Sequence, residues 1–191
     1  MKKNIFLTGQ KQVGKSTLIN GALSQNAFAV GGFKTLPHLT HGERDGFFIR
    51  SMLPDIVTSE NILISRKNSH GGWEAIPATF EQVGVKILEE SLKACPQLIL
   101  MDELGFLENQ ALNFQRTVMK CLDSPVPILG VIKPVHTPFL DSVRSREDVE
   151  VLEITIENRE EKYKILGDLL RMCQGDGSGD TPEFVSPESS P

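Results

Sequence analysis

Cysteine is scarce: the chain of 191 residues holds three, Cys95, Cys121 and Cys173. An odd, widely spaced set makes no disulfide framework, and no pair has metal-ligand spacing, so a hydrophobic core has to hold the fold. Long apolar runs are also missing. No window approaches the ~18 apolar residues of a membrane span, and the short run Ile5–Leu7 is too brief for a signal peptide. A cytoplasmic location with no membrane partner is expected. Positive charge is not in excess either: 20 Lys and Arg stand against 25 Asp and Glu, a net charge of −5. That balance argues against a nucleic-acid partner.

What is present suffices for one domain. Hydrophobic residues make up 39% of the chain, enough for a single core. The expected domain spans residues 1–174. From Gly175 the composition turns to Gly, Ser, Pro, Asp and Glu, and residues 175–191 are expected to be a disordered tail.

Short apolar runs alternate with helical periodicities. Ile5–Thr8 reads as a buried strand, and Lys15–Leu23 as a helix with Leu18, Ile19 and Ala22 on one face. Phe28–Phe33 and Gly46–Met52 look extended and are joined by the polar stretch Leu36–Asp45, a hairpin-like pair. Asn61–Ser65 is a further strand, followed by a turn at Asn68–Gly72. Phe80–Ala94 is helical, with Pro96 beyond its end. Leu98–Met101 is the apolar run of a strand covered on both faces. Helix at Asn109–Leu122, strand at Pro127–Ile132, short helix at Phe139–Arg144, strand at Val149–Ile154 and helix at Glu157–Met172 complete the chain. The alternation predicts a three-layer α/β fold with a mostly parallel central sheet and an antiparallel hairpin-like addition.

Gly9, Gln10, Lys11, Gln12, Val13, Gly14, Lys15 and Ser16 satisfy G-x-x-x-x-G-K-[ST] between a predicted strand and a predicted helix. Gly9 and Gly14 allow the backbone N–H groups to turn inward around phosphate oxygens. The helix adds its N-terminal dipole, with Thr17 in its first turn. Lys15 is placed to reach the β- and γ-phosphates, and the Ser16 hydroxyl to ligate Mg²⁺. A strand ending in Asp102 and Glu103 supplies the carboxylates this loop needs. Asp102 is expected to hold Mg²⁺, and Glu103 to polarise the attacking water as a general base.

The residues after that strand carry a family resemblance. Asp102, Glu103, Leu104, Gly105, Phe106, Leu107 and Glu108 resemble the D-E-[IL]-G-x-[ML]-E signature of the cancer-related, THEP1-type nucleoside-triphosphatases. Gly32, Phe33 and Thr35, then Gly42 to Phe47, resemble its G-F-x-T and G-x-R-x-G-F blocks. Pro127–Ile132 is similar to its P-[VI]-L-G-[TV]-I strand. Asp148, Val149 and Val151, with Thr155, Asn158 and Arg159, resemble its D-V-x-V and T-x-E-N-R blocks. Phe106 departs from the family pattern, standing where many members carry Lys, and Leu36 and Pro37 replace an acidic stretch.

The resemblance implies a P-loop fold and hydrolysis of Mg²⁺-bound ATP, GTP and other nucleoside triphosphates with broad base tolerance. Inside the family block Arg44 is expected to act catalytically, stabilising charge on the γ-phosphate from within the chain. Lys34 reads as a surface residue and Trp73 as packing before base stacking. Lys133 follows a strand where base or sensor contacts occur. Asn158 is expected to cap the last helix. Two other functions remain open: a nucleotide kinase, with Arg144 and Arg146 in a lid, or a nucleotide-dependent switch with little turnover.

Overall fold

A computed structural model describes residues 2–25, 29–56 and 58–174, and for residues 172 and 174 the backbone alone. The expected tail at 175–191 and the start of the Phe28–Phe33 stretch lie outside the described residues.

Eight strands form one sheet: β1 (Asn4–Thr8), β2 (Val30–Thr40), β3 (Glu43–Ser51), β4 (Leu63–Lys67), β5 (Trp73–Ala75), β6 (Leu98–Leu104), β7 (Ile128–Ile132) and β8 (Val149–Glu153). Their order across the sheet is β5-β4-β3-β2-β6-β7-β1-β8. The β2, β6, β7, β1 and β8 strands run parallel. The β3, β4 and β5 strands extend the edge antiparallel. This is the expected mostly parallel sheet with an antiparallel addition.

The central stretches of the parallel strands are apolar because helices cover both faces. On one face Ile5, Leu7, Leu98, Leu100, Leu129 and Val131 pack against α1 (Lys15–Ser24) and α6 (Arg159–Gln174). On the other, Phe6, Phe33, Ile99 and Met101 meet α3 (Val85–Ala94), α4 (Leu112–Asp123) and α5 (Pro138–Arg144). A short α2 (Pro77–Thr79) leads through a π-helical turn at Phe80–Gly84 into α3. The predicted helix at Phe80–Ala94 therefore begins earlier and changes its winding at Phe80.

Two further expectations are corrected, and one strand is added. The polar stretch Leu36–Asp45 is mostly strand, because β2 and β3 run on until only His41 and Gly42 remain between them. Both take positive φ, 52° and 83°, as the two-residue turn of a right-twisted hairpin requires. The hairpin's outer half projects into solvent, with Pro37, Leu39 and Thr40 exposed, so no apolar alternation marks it in the sequence. Helix α4 starts at Leu112 rather than Asn109. The carbonyls of Glu108 and Asn109 instead accept from Gln115 Nε2 at 2.8 and 3.1 Å, and residues 105–110 form a turn. Strand β5, three residues long, gave no sequence signal.

Candidate functional site

The phosphate-binding loop leaves the end of β1 and enters α1. Gly9 has φ +130°, and a Cβ there would sit 2.4 Å from the Ile154 carbonyl oxygen, so β8 presses directly on the loop. Gly14, at φ +97°, occupies the N-cap of α1. That helix has no side-chain cap and no acidic residue in its first turn. Its free N–H groups and positive dipole end are thus open to an anion. The Lys15 ammonium folds back over the loop, donating to Gly9 O at 2.9 Å and Gln10 O at 2.6 Å. Burial draws its pKa below the ordinary lysine value, and the Lys133 charge adds to this, against the opposing pull of Glu103 and Asp102. These four side chains share one electrostatic neighbourhood.

Asp102 and Glu103 lie within β6, which is longer than the predicted Leu98–Met101 run, and the peptide between them is cis. One strand, β7, separates β6 from the loop-bearing β1. Burial first, then the neighbouring Glu103 charge, push the Asp102 pKa up to about 6, while Lys34 and Lys15 hold it down. The oxygen donors on offer are the Ser16 hydroxyl in the first turn of α1 and the Asp102 carboxylate within β6. This hard-oxygen set is too small to enclose a metal, and no cluster of three His, Cys, Asp or Glu side chains exists among the described residues. It suits Mg²⁺, which takes few protein oxygens and completes its shell with phosphates and water.

Three further cations stand at this site beside Lys15: Lys34, which reads as a surface residue in the sequence, Lys133, expected there as a base or sensor contact, and Arg159, part of a family block. Lys34 pairs in register with Asp102 across β2 and β6, and its ammonium donates to Asn20 Oδ1 of α1 at 2.7 Å. It faces the loop side of the sheet rather than open surface. Lys133, just after β7, forms an ion pair with Glu103 at 2.7 Å. Arg159 opens α6 with its Nη1 3.7 Å from where a Cβ of Gly14 would be. Among the described residues its guanidinium has no ion-pair partner. Their partners at the site are set by sheet register and loop contact, which the linear motifs do not give.

Arg44 is not brought to this cluster. It pairs with Leu39 on the projecting hairpin, five residues beyond Lys34, or roughly 17 Å along the strand. Its guanidinium is exposed and lies 5.6 Å from the Phe47 ring centroid. Beside it, Asp45 ties His38 and Thr40 together at 2.6 Å each.

The remaining candidates have structural roles. Trp73 packs edge-on against Phe47 at 4.8 Å, six strand positions from β1, or about 29 Å at ordinary strand spacing. Arg144 binds Asp141, and Arg146 binds Asp123 and Asp148, so neither guanidinium is free for a lid. Asn158 holds the position before α6, but its side chain turns backward. Its Oδ1 accepts from Thr155 N at 2.9 Å and its Nδ2 donates to Glu153 O at 2.9 Å. It locks the β8–α6 loop rather than capping the helix, and thereby sets Arg159 against Gly14.

Known proteins resemble this chain over most of its length. A family model described as NTPase matches residues 4–166. Nucleoside-triphosphatase THEP1 of Thermotoga petrophila is 31% identical over 91% of this chain and 96% of its own length. The cancer-related nucleoside-triphosphatase homolog of Mus musculus is 29% identical over 91% of this chain and 98% of its own. Among solved structures, THEP1 from the hyperthermophile Aquifex aeolicus superposes with a TM-score of 0.68 at 26% identity, covering 90% of this chain and 99% of that one. The human cancer-related nucleoside triphosphatase gives 0.68 at 28% identity, covering 92% and 100%. No helix among the described residues is long and apolar enough to cross a membrane.

Proposed function

The chain belongs to the THEP1-type nucleoside-triphosphatase family, and from that premise we propose that it hydrolyses Mg²⁺-bound nucleoside triphosphates of several bases through Lys15, Ser16, Asp102 and Glu103. The observation that carries this reading is the placement of the phosphate loop between β1 and α1 one strand away, across β7, from Asp102 and Glu103 on β6. The loop N–H groups from Gly9 to Thr17 cradle the phosphates. Lys15 exchanges its carbonyl partners for β- and γ-oxygens. Ser16 and Asp102 would hold Mg²⁺, which when bound neutralises charge on those same oxygens.

Water attacks the γ-phosphorus and Glu103 takes its proton. The bond from γ-phosphorus to the bridging oxygen breaks, and the nucleoside diphosphate keeps that oxygen. Lys34, level with Asp102, is the cation best placed to meet charge developing on the transferring group, the role first expected of Arg44. Arg159 adds a guanidinium outside the loop, next to Gly14. Broad base tolerance is supported by the remoteness of Trp73, which leaves the indole out of base selection. Engagement of Arg144 and Arg146 in their own ion pairs favours water over a second substrate as acceptor.

The test is phosphate release from ATP, GTP, CTP and UTP with and without Mg²⁺. Turnover with all four that disappears in EDTA supports the reading. Turnover confined to one base, or surviving EDTA, contradicts it.

A further inference from the structure

Lys133 is held by its backbone, stem and ammonium against the segment 103–106. Its backbone N–H donates to Leu104 O at 2.9 Å, fastening the end of β7 to the end of β6. Its aliphatic stem crosses Gly105, where an added Cβ would lie 2.8 Å from Lys133 Cδ. Its ammonium stands 5.0 Å from the Phe106 ring centroid and 2.7 Å from Glu103 Oε1. The Lys133 carbonyl is fixed in turn, accepting from Val135 N at 2.8 Å and from the Arg144 guanidinium.

An ordinary surface ion pair orders two long side chains for little return. This one differs because the lysine is already ordered by backbone, glycine platform and aromatic face. Its side chain is 25% exposed and that of Glu103 30%. The pair also has a direction. Lys133 extends β7, and β7 lies between β6 and the phosphate-loop strand. A carboxylate held by Lys133 is therefore drawn toward the loop.

We propose that Lys133 is a positioning residue for hydrolysis: its ion pair fixes the Glu103 carboxylate on the β7 side, facing the γ-phosphate end of the phosphate loop. The proposal rests on Glu103 being the general base. A glutamate left to its own rotamers loses the near-attack geometry on which such a base depends, and small displacements there are costly in rate. Gly105 and the Phe106 ring together form the lysine's seat.

The experiment compares native protein, Lys133→Met, Lys133→Arg, Glu103→Gln and the Lys133→Met/Glu103→Gln double variant. Steady-state phosphate release from Mg-ATP is measured alongside binding of a fluorescent ATP analogue. Lys133→Met is expected to lower kcat by roughly 10- to 100-fold with KM and analogue affinity little changed. Lys133→Arg should restore most of the loss. In the Glu103→Gln background Lys133→Met should change nothing further.

If Lys133→Met instead raises KM at native kcat, or lowers residual Glu103→Gln turnover by the same factor, Lys133 acts on the phosphates and the proposal falls. Native turnover in Glu103→Gln alone would remove the general base itself, whatever Lys133 does. Should Lys133→Met fail to fold, Gly105→Ala keeps the lysine but displaces its stem. A fall in kcat at constant KM supports the proposal there, and native kcat overturns it.

Discussion

Glu108 sits in the turn after β6, its carboxyl almost wholly buried, accepting the Gly105 N–H. Burial, with the Glu103 charge adding to it, pushes its pKa up to about 7, against the Gly105 hydrogen bond and the Lys133 charge. The folded protein therefore keeps a proton that the unfolded chain gives up near the ordinary value of 4.5. This favours folding at low pH, and the advantage is lost as pH rises through the window from about 4.5 to 7. Glu108→Gln keeps the acceptor and removes the titration. It should stabilise the protein at pH 8 by about 1–3 kcal/mol and by almost nothing at pH 4, read from urea unfolding at both values. Equal effects at the two pH values would contradict the burial argument. Arg159 yields a second expectation at this scale. Arg159→Ala should weaken nucleotide binding by roughly tenfold, less at high salt, with kcat retained. An affinity unchanged in a fluorescent-analogue titration would place Arg159 outside the site.

At the scale of elements, register decides which cation takes part. The β2 strand carries Lys34 level with Asp102 and then runs on to Thr40, so the hairpin that bears Arg44 overshoots the carboxylates. Lys34→Ala is expected to reduce phosphate release by about 10- to 100-fold, whereas Arg44→Ala should leave it essentially unchanged. The reverse ranking in a steady-state assay would show that the hairpin folds down onto the nucleotide. The phosphate loop was legible because its requirements are local: two glycines, a lysine and a hydroxyl at fixed spacing. Asp102 and Glu103 were legible because an apolar run stops at them. Lys34 was not, since strand pairing brings it in from distant sequence, and the sequence marked Lys133 and Arg159 without showing that they meet Glu103 and Gly14. The hairpin's true length was hidden for a related reason, as a ribbon that projects into solvent need not alternate apolar and polar residues.

For the whole molecule, the order of the parallel strands is what makes a site of separate pieces. With β7 between β1 and β6, the phosphate loop and the carboxylates stand one strand apart. The two apolar clusters on either face of the sheet hold that spacing. The central claim is that Glu103 serves the chemical step and not nucleotide binding. The most direct test is Glu103→Gln assayed in parallel for binding of a fluorescent ATP analogue and for phosphate release from Mg-ATP. The account predicts near-native affinity with turnover reduced by about 100-fold or more. Near-native turnover in Glu103→Gln would contradict it.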